Sequence, residues 1–400
     1  MRITTNMIYD RGVSSIQSLW SKALHTQQEV STGRRVLTPA DDPIAAARAL
    51  DVTQSRGVNT QFRTNQDYSN DQLNLLENRL AGTGDILQYV RQRAVAAGDG
   101  ILEQEELDAI AADMHSQFDS LLALANTKDA AGDFLFSGYR ADTQPFQGGY
   151  GNIHYEGDQG ARTMQVSSTR FMPVSLPGSD VFDNTRTLEG AINAFAGTAN
   201  SGSAAASVAF DPAQPDTADT GRRYEVRFNG TGYDVTEYQP GNTAPVTVSP
   251  VTVTPGPPDT IAFNGLKMEV SGTPDNGDSF EVFVASKNVF DNLAIFIDTL
   301  ERPGSSGVIS GVKFAIDNVD AALDTSLRAR AQVGSQLVEL EQLGNLSSDM
   351  DLQYANTLSR LQDADYAEAY SRLTQLQTNL EASQLSFMKV SGLSLFNFLQ

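Results

Sequence analysis

Residues 71–98, DQLNLLENRLAGTGDILQYVRQRAVAAG, carry the clearest structural signal in the chain. Apolar or small residues recur here at alternating spacings of three and four. That period places them along one side of an α-helix for more than three heptads. We therefore predict a long amphipathic helix with a buried seam. The seam residues are Leu73, Leu76, Leu80, Thr83, Leu87, Val90, Ala94 and Ala97.

The same signal extends to both sides of this stretch. The run Gly98-Asp99-Gly100 breaks the helix, and a second apolar stripe follows from Leu107 to Leu124. The two stripes predict an antiparallel helical hairpin, because a short glycine-containing break reverses the chain. Upstream, Asp42 is placed to cap the long helix and Pro43 suits its first turn.

Proline placement divides the 400-residue chain into three segments. Thirteen of the fifteen prolines lie in 145–303, whereas 44–144 and 304–400 contain none. Because proline disrupts helix interiors, the two proline-free segments are free to form long helices. The C-terminal segment carries helical stripes as well, one over 316–343 and another over 366–387.

The middle segment alternates with period two. Tyr224, Val226 and Phe228 share one face of a predicted strand, and Asn229-Gly230 supplies a turn. Similar alternation predicts an antiparallel β module of one lobe or two. The small-residue stretch 197–221 predicts a mobile link within it.

The two helical ends predict one structure because their periodicities match and their charges are opposite. The first 63 residues carry a net charge of +3 and 304–400 carry −5. We predict an α+β multidomain fold: an elongated helical bundle or coiled coil built from both ends, with an inserted antiparallel β domain. The alternative is two separate helical domains. The predicted domains are a terminal helical assembly domain (1–45 plus 360–400), a helical rod (46–145 plus 285–359) and the β insert (146–284).

The composition excludes several functions. The net charge is −21, which argues against nucleic-acid binding and anionic membrane surfaces. There are no cysteines and only three histidines, and there is no nucleotide-binding loop and no hydrolase or metalloprotease motif. No stretch is long and apolar enough for membrane insertion, and the N-terminus lacks a secretory signal pattern. We predict no enzymatic activity, no cofactor and no metal.

Two terminal motifs resemble the flagellin superfamily. Residues 31–43, STGRRVLTPADDP, resemble its N-terminal signature, and residues 361–368, LQDADYAE, resemble its C-terminal counterpart. Within the superfamily the chain is most similar to the proteins at the junction of hook and filament, over 1–185 and 285–400. That similarity is carried by GDFLFSGY at 132–139 with Pro145-Phe146, YEGDQG at 155–160, PGSDVF at 177–182 and the tail LSLFNFL at 393–399.

The resemblance implies a secreted structural protein of the bacterial flagellum, transiently cytoplasmic before type III export. The implied partners are copies of the same chain in a ring, the hook-side junction protein, flagellin and a flagellar export chaperone. The implied function is a structural adaptor that links hook and filament by helical self-assembly of its terminal regions. A flagellin-type filament subunit is the alternative. A secreted glycan-binding or enzymatic module carried by 186–284 is a more remote one.

The candidate assembly residues lie in the outermost stretches, which have no evident core of their own. The tail 393–399 is unusually apolar for a chain end, which implies that something covers it. The candidates are Arg34, Asp41, Asp42, Asp365, Tyr366, Tyr370, Leu373, Leu380, Leu395, Phe396 and Phe398.

Overall fold

Long helices occupy both ends of the chain and strands occupy the middle. The computed structural model describes residues 5–100, 102–183, 192–211, 221–242 and 244–396. The helices are α1 (Thr5–Thr32), α2 (Pro43–Ala97), α3 (Gln104–Ala125), α4 (Ser179–Phe182), α5 (Val289–Glu301), α6 (Val308–Gln362) and α7 (Tyr366–Phe396).

The chain forms two compact units, and each contains helices from both ends. Unit 1 comprises residues 1–64 and 343–400, and unit 2 comprises residues 65–342. The packing of N-terminal against C-terminal helices, with antiparallel sheets inserted between them in sequence, confirms the predicted α+β fold class. The finer division into three domains stays a prediction.

In unit 1, α1 packs along α7. The rings of Tyr9 and Phe387 lie 5.0 Å apart. The Phe387 ring also covers Gly12, where a Cβ atom would lie 2.7 Å from it, so the close approach of the two helices requires glycine. The first turns of α2 contact the end of α6 through the Arg56–Asp351 ion pair.

In unit 2, the predicted seam of α2 is its buried face. All eight seam residues have exposed fractions of 2 % or less. The partner helix is α6, whose Arg330 Nη2 lies 2.6 Å from Glu77 Oε1 and whose Ser326 donates to the Leu80 carbonyl. The helix break is also confirmed, because α2 ends at Ala97 and α3 begins at Gln104.

All the described strand pairs in the middle segment of unit 2 are antiparallel. Two small hairpins pair β1 with β2 and β3 with β4, and two larger sheets have the strand orders β5-β13-β7-β8-β9 and β10-β11-β12-β6. The strands are β1 (Phe146–Gly149), β2 (Asn152–Tyr155), β3 (Thr163–Gln165), β4 (Phe171–Pro173), β5 (Ile192–Ala196), β6 (Ala205–Phe210), β7 (Arg222–Phe228), β8 (Tyr233–Tyr238), β9 (Val246–Thr247), β10 (Thr252–Thr254), β11 (Asp259–Phe263), β12 (Leu266–Ser271) and β13 (Ser279–Val284).

The two larger sheets form one sandwich. Val226 and Phe280 of the first sheet share a core with Ile261 and Met268 of the second, and all four side chains are fully buried. Inward residues alternate along β6, β8 and β12, as the period-two pattern predicts.

Strand β13 attaches the sandwich to the helices of unit 2. Phe280 and Val282 face the sandwich core, whereas Phe283 packs against Ile295 of α5 and Phe314 of α6. The rings of Phe283 and Phe314 stack with centroids 5.2 Å apart. The alternation of Phe280, Val282 and Val284 on the sandwich side is visible in the sequence, whereas the opposite face of the strand is covered by α5 and α6 instead of water.

The predicted mobile link at 197–221 is in part wrong. Residues 205–210 form β6, which pairs with β12 over its whole length. Its small alanine and serine side chains resemble linker composition, but Val208 and Phe210 keep the inward alternation of a strand. Residues 212–220 lie outside the described residues.

A buried polar cluster lies where β7 and β13 meet the end of α5. Arg223 is 1 % exposed and Asp298 is 4 % exposed, with 3.2 Å between Arg223 Nη2 and Asp298 Oδ2. Arg223 also donates two hydrogen bonds of 3.0 Å to the Arg302 carbonyl. Burial lowers the pKa of Arg223 and raises that of Glu281, which accepts from Ser310 in the same cluster. Burial therefore disfavours the charged form of both groups, and the ion pair and hydrogen bonds of the cluster offset that cost.

Asp291 connects the β1–β2 hairpin to α5. Burial of its charged carboxylate costs free energy, and that cost depends on pH. Its carboxylate accepts from the Ile153 N–H (3.2 Å) and the Ser286 hydroxyl (3.2 Å). Burial raises the pKa of Asp291 to about 6. In the unfolded chain, the Asp291 carboxyl binds its proton only below about pH 4. The contribution of Asp291 to stability is therefore greatest below that pH and falls as the pH rises to about 6.

We expect Asp291→Asn to stabilise unit 2 by about 1–3 kcal/mol near pH 8, with little gain near pH 4. Asparagine keeps an acceptor for Ile153 and offers a donor to Ser286, but carries no charge to bury. Urea denaturation followed by circular dichroism at both pH values measures the difference. An equal gain at both pH values, or a loss near pH 8, would contradict this account.

Candidate assembly site

Two helix breaks lie side by side in unit 1 and form what we call the joint, residues 33–42 and 363–365. Helix α1 ends at Thr32, and α6 ends at Gln362. The Arg35 N–H donates to the Gln362 carbonyl at 2.7 Å, and the Ala364 N–H donates to the Gly33 carbonyl at 2.9 Å. Arg34 and Asp363 form an isolated antiparallel bridge. Backbone hydrogen bonds therefore tie the two turns together.

Gly33 allows α1 to end at the joint. Its φ is +70°, a left-handed conformation that side chains with a Cβ atom adopt at a cost. The space beside it is also taken, because an added Cβ would lie 2.6 Å from the Tyr366 hydroxyl.

We expect Gly33→Ala to destabilise unit 1 by about 1–2 kcal/mol, because of backbone strain and displacement of Tyr366. The matched control is Gly57→Ala within α2, where nothing lies within 4 Å of the added Cβ. That change should stabilise by up to about 1 kcal/mol, as alanine favours helix. Trp20, the single tryptophan, reports unfolding of unit 1 by its fluorescence. Equal effects of the two substitutions would contradict the assignment.

Arg35 connects the start of α2 to the end of α6. Its guanidinium donates to Asp42 Oδ2 (3.3 Å) and to the Leu361 carbonyl (3.2 Å). Asp42 in turn accepts from the Ala45 N–H at 3.0 Å, so it caps α2 as predicted. The Ala45 hydrogen bond and, to a smaller extent, Arg35 hold the pKa of Asp42 below its usual value.

Asp41 organises the loop before α2. It accepts from the N–H groups of Leu37 (3.1 Å) and Thr38 (2.7 Å) and lies 3.0 Å from His25 Nε2. The Thr38 N–H and then His25 lower the pKa of Asp41 to about 2. The carboxylate is thus charged at any physiological pH.

Helix α7 begins at the joint with its own cap. Asp365 accepts from the Ala367 N–H at 2.9 Å. Two turns later, Arg372 of α7 lies 3.7 Å from Glu29 of α1, and Glu29 also contacts His25 at 3.0 Å. These contacts align α1 and α7 where they leave the joint.

The structure brings the predicted candidates Arg34, Asp41, Asp42, Asp365 and Tyr366 together at the joint. Sequence reasoning missed Arg35, His25, Glu29 and Arg372. The four-residue spacing of His25 from Glu29, and of Glu368 from Arg372, is the only local signal that could have indicated them.

All but one of the remaining candidates lie along α7. Tyr370 is exposed, Leu373 is half-buried and Leu380 is buried within unit 1, so Leu380 packs inside the chain. Leu395 and Phe396 belong to α7, and their side chains are not described. Phe398 lies outside the described residues.

Unit 1 exposes large apolar side chains on α1 and α7. Trp20 is 55 % exposed, Tyr370 is 66 % exposed and Leu385 is 58 % exposed. Leu24 lies one turn from Trp20, and Met388 lies one turn from Leu385; both are exposed as well. Apolar surface repeated along a helix is typical of interaction sites rather than of scattered exposure.

Unit 1 carries no net charge. It contains 11 basic and 11 acidic residues, which leaves 17 basic and 38 acidic residues in unit 2. The whole net charge of −21 therefore lies in unit 2. A neutral, partly apolar surface can pack against a copy of itself without net repulsion.

Within the described ranges, no cluster of three or more His, Asp or Glu side chains could hold a metal ion. In the same ranges no helix is both long and apolar enough to cross a membrane.

Two known domains match parts of the chain. Residues 3–141 match the N-terminal helical region of bacterial flagellin, and residues 195–283 match the D2-like domain of flagellar hook-associated protein 1. The first match covers the helices α1 to α3, and the second covers the sandwich.

Relatives match over the full length. Flagellar hook-associated protein 3 of Salmonella typhimurium is 27 % identical over 396 residues, and that of Escherichia coli K12 is 28 % identical over 399 residues. Each match covers 99 % of both chains. The crystal structure of FlgL from Xanthomonas campestris is 26 % identical with a TM-score of 0.54, covering 77 % of this chain and 99 % of that one.

Proposed function

Because the chain is a full-length relative of flagellar hook-associated protein 3, we propose that it is a structural adaptor at the hook–filament junction. The likeness supports a structural role in the flagellum and not an enzymatic one. Its proposed partners are copies of itself in a ring, the hook-side junction protein and flagellin. Before export it is held by a flagellar export chaperone in the cytoplasm.

The proposed assembly mechanism rests on one observation about unit 1. Unit 1 combines exposed apolar residues on α1 and α7 with a net charge of zero. Burying the exposed part of a side chain such as Trp20 or Leu385 against a neighbouring copy contributes about 1–2 kcal/mol each, because a little more than half of each side chain is exposed in the monomer. Self-packing through unit 1 thus supplies the association energy, and unit 1 itself carries no net charge.

The joint gives the assembly surface a defined geometry. Arg35, Asp42 and Asp365 fix where α2 and α7 begin, and Glu29 and Arg372 align α1 with α7. We propose the terminal segments 1–45 and 360–400 as the assembly domain. The segments 46–145 and 285–359 would form the helical rod.

The remaining segment, 146–284, is the proposed inserted domain. The match of 195–283 to a domain of another hook-associated protein supports a structural role for the sandwich.

Deletion of the gene tests this function, with the cells viewed by electron microscopy and flagellin assayed in the medium. We expect hooks without filaments and flagellin lost to the medium. Hooks without flagellin in the medium would instead identify a filament subunit. Normal filaments in a strain with no second copy of the gene would contradict both functions.

A further inference from the structure

The uneven charge distribution has a consequence for assembly. Two copies that pack through unit 1 meet no net charge there, but each brings a unit 2 that carries −21. Each unit 2 is covalently linked to its own unit 1. Association through unit 1 therefore also brings together the two negatively charged copies of unit 2. Like charges of this size oppose close packing and favour the monomer.

We propose that unit 2 is an electrostatic barrier to self-association, so that copies pack only through unit 1 and only when ionic strength screens unit 2. This inference rests on the proposed self-packing of unit 1. It adds that ionic strength regulates this packing, so that the protein in dilute solution at low ionic strength remains a monomer.

Several negative charges of unit 2 are exposed to solvent and can repel the same charges on another copy. Asp71, Asp119, Asp324 and Glu341 are exposed, and no ion pair to any of them occurs among the described contacts. These carboxylates lie on α2, α3 and α6. Exposed charges repel over roughly the Debye length, which is about 30 Å at 0.01 M salt and about 10 Å at 0.1 M. The barrier therefore weakens steeply across this range.

The first test measures self-association of the full-length protein by sedimentation velocity and light scattering. Sodium chloride is varied from about 0.01 M to about 0.5 M, because sulfate and phosphate strengthen apolar burial by another route. We expect the concentration needed for association to fall by about tenfold or more as salt rises.

Two matched variants separate charge screening from a general effect of salt. The unit 2 variant combines Asp71→Asn, Asp119→Asn, Asp324→Asn and Glu341→Gln. The unit 1 variant combines Asp10→Asn, Asp51→Asn, Asp349→Asn and Glu381→Gln. Each removes four negative charges from the whole chain, but only the first lowers the charge of unit 2.

We expect the unit 2 variant to associate at lower salt than the wild type, with a shallower salt dependence. The unit 1 variant should not, since it leaves unit 2 unchanged and makes unit 1 positive. Association that is independent of salt, or equal promotion by both variants, would overturn the barrier alone. Absence of association in every variant at every ionic strength would overturn the proposed self-packing itself.

Discussion

Replacing Trp20, Tyr370 and Leu385 with serine is expected to abolish self-association and leave the folded monomer intact. These side chains are more than half exposed in unit 1, so the monomer loses little by their removal. An assembled copy that buries their exposed parts would lose about 1–2 kcal/mol for each, which together amounts to at least about a hundredfold in affinity. Sedimentation velocity measures the association, and circular dichroism measures the fold.

The matched control is the triple substitution of Val95, Ile309 and Leu327 with serine in unit 2. These residues have exposed fractions similar to those of the unit 1 residues, so the control also removes exposed apolar surface from three helix positions. We expect it to associate as the wild type does. If the control loses association and the unit 1 variant keeps it, the assembly surface has been placed in the wrong unit.

Asp298→Ala is expected to cost unit 2 about 3–5 kcal/mol, the largest effect on stability of any substitution considered. The change removes the carboxylate that pairs with Arg223, a guanidinium with almost no exposure to water. A buried charge without its partner retains the cost of desolvation and loses the compensating attraction. Faster hydrogen exchange in β7 and β13, together with a lower urea midpoint, would reveal the loss.

The control for this effect is Asp320→Ala. Asp320 forms an ion pair with Arg91 of similar length, 2.7 Å, but both side chains are about half exposed. Exposed pairs contribute at most about 1 kcal/mol. A similar loss from both substitutions would show that burial does not set the energy of the Arg223–Asp298 pair.

A helix could be predicted from the sequence where only one of its faces is buried. The α2 seam has one apolar stripe, and the period of that stripe is visible in the sequence without knowledge of its partner. Helix α5 lacks such a signal, because twelve of its thirteen residues are buried and no polar face marks the period. Strand β13 is also buried on both faces, but the alternation of Phe280, Val282 and Val284 still indicates a strand in the sequence.

Only those features of the joint that involve residues close in sequence could be predicted. Asp42 before Pro43 is a capping pattern of neighbouring residues, and the structure has that cap. The Arg35 hydrogen bond to Leu361 spans more than 300 residues of sequence, so it follows from the pairing of the two ends and not from any motif. Leu380 belongs to an apolar stripe, but the sequence does not distinguish a stripe buried within the chain from one that stays exposed.

The most direct test of the account is the amount of flagellin in the medium of a strain that lacks this gene and carries the Trp20, Tyr370 and Leu385 serine variant. If unit 1 is the assembly surface of a junction adaptor, the variant is exported, the hooks stay bare, and flagellin is lost to the medium. The strain carrying the unit 2 control variant should grow filaments. Normal filaments with the unit 1 variant would contradict assembly through this surface.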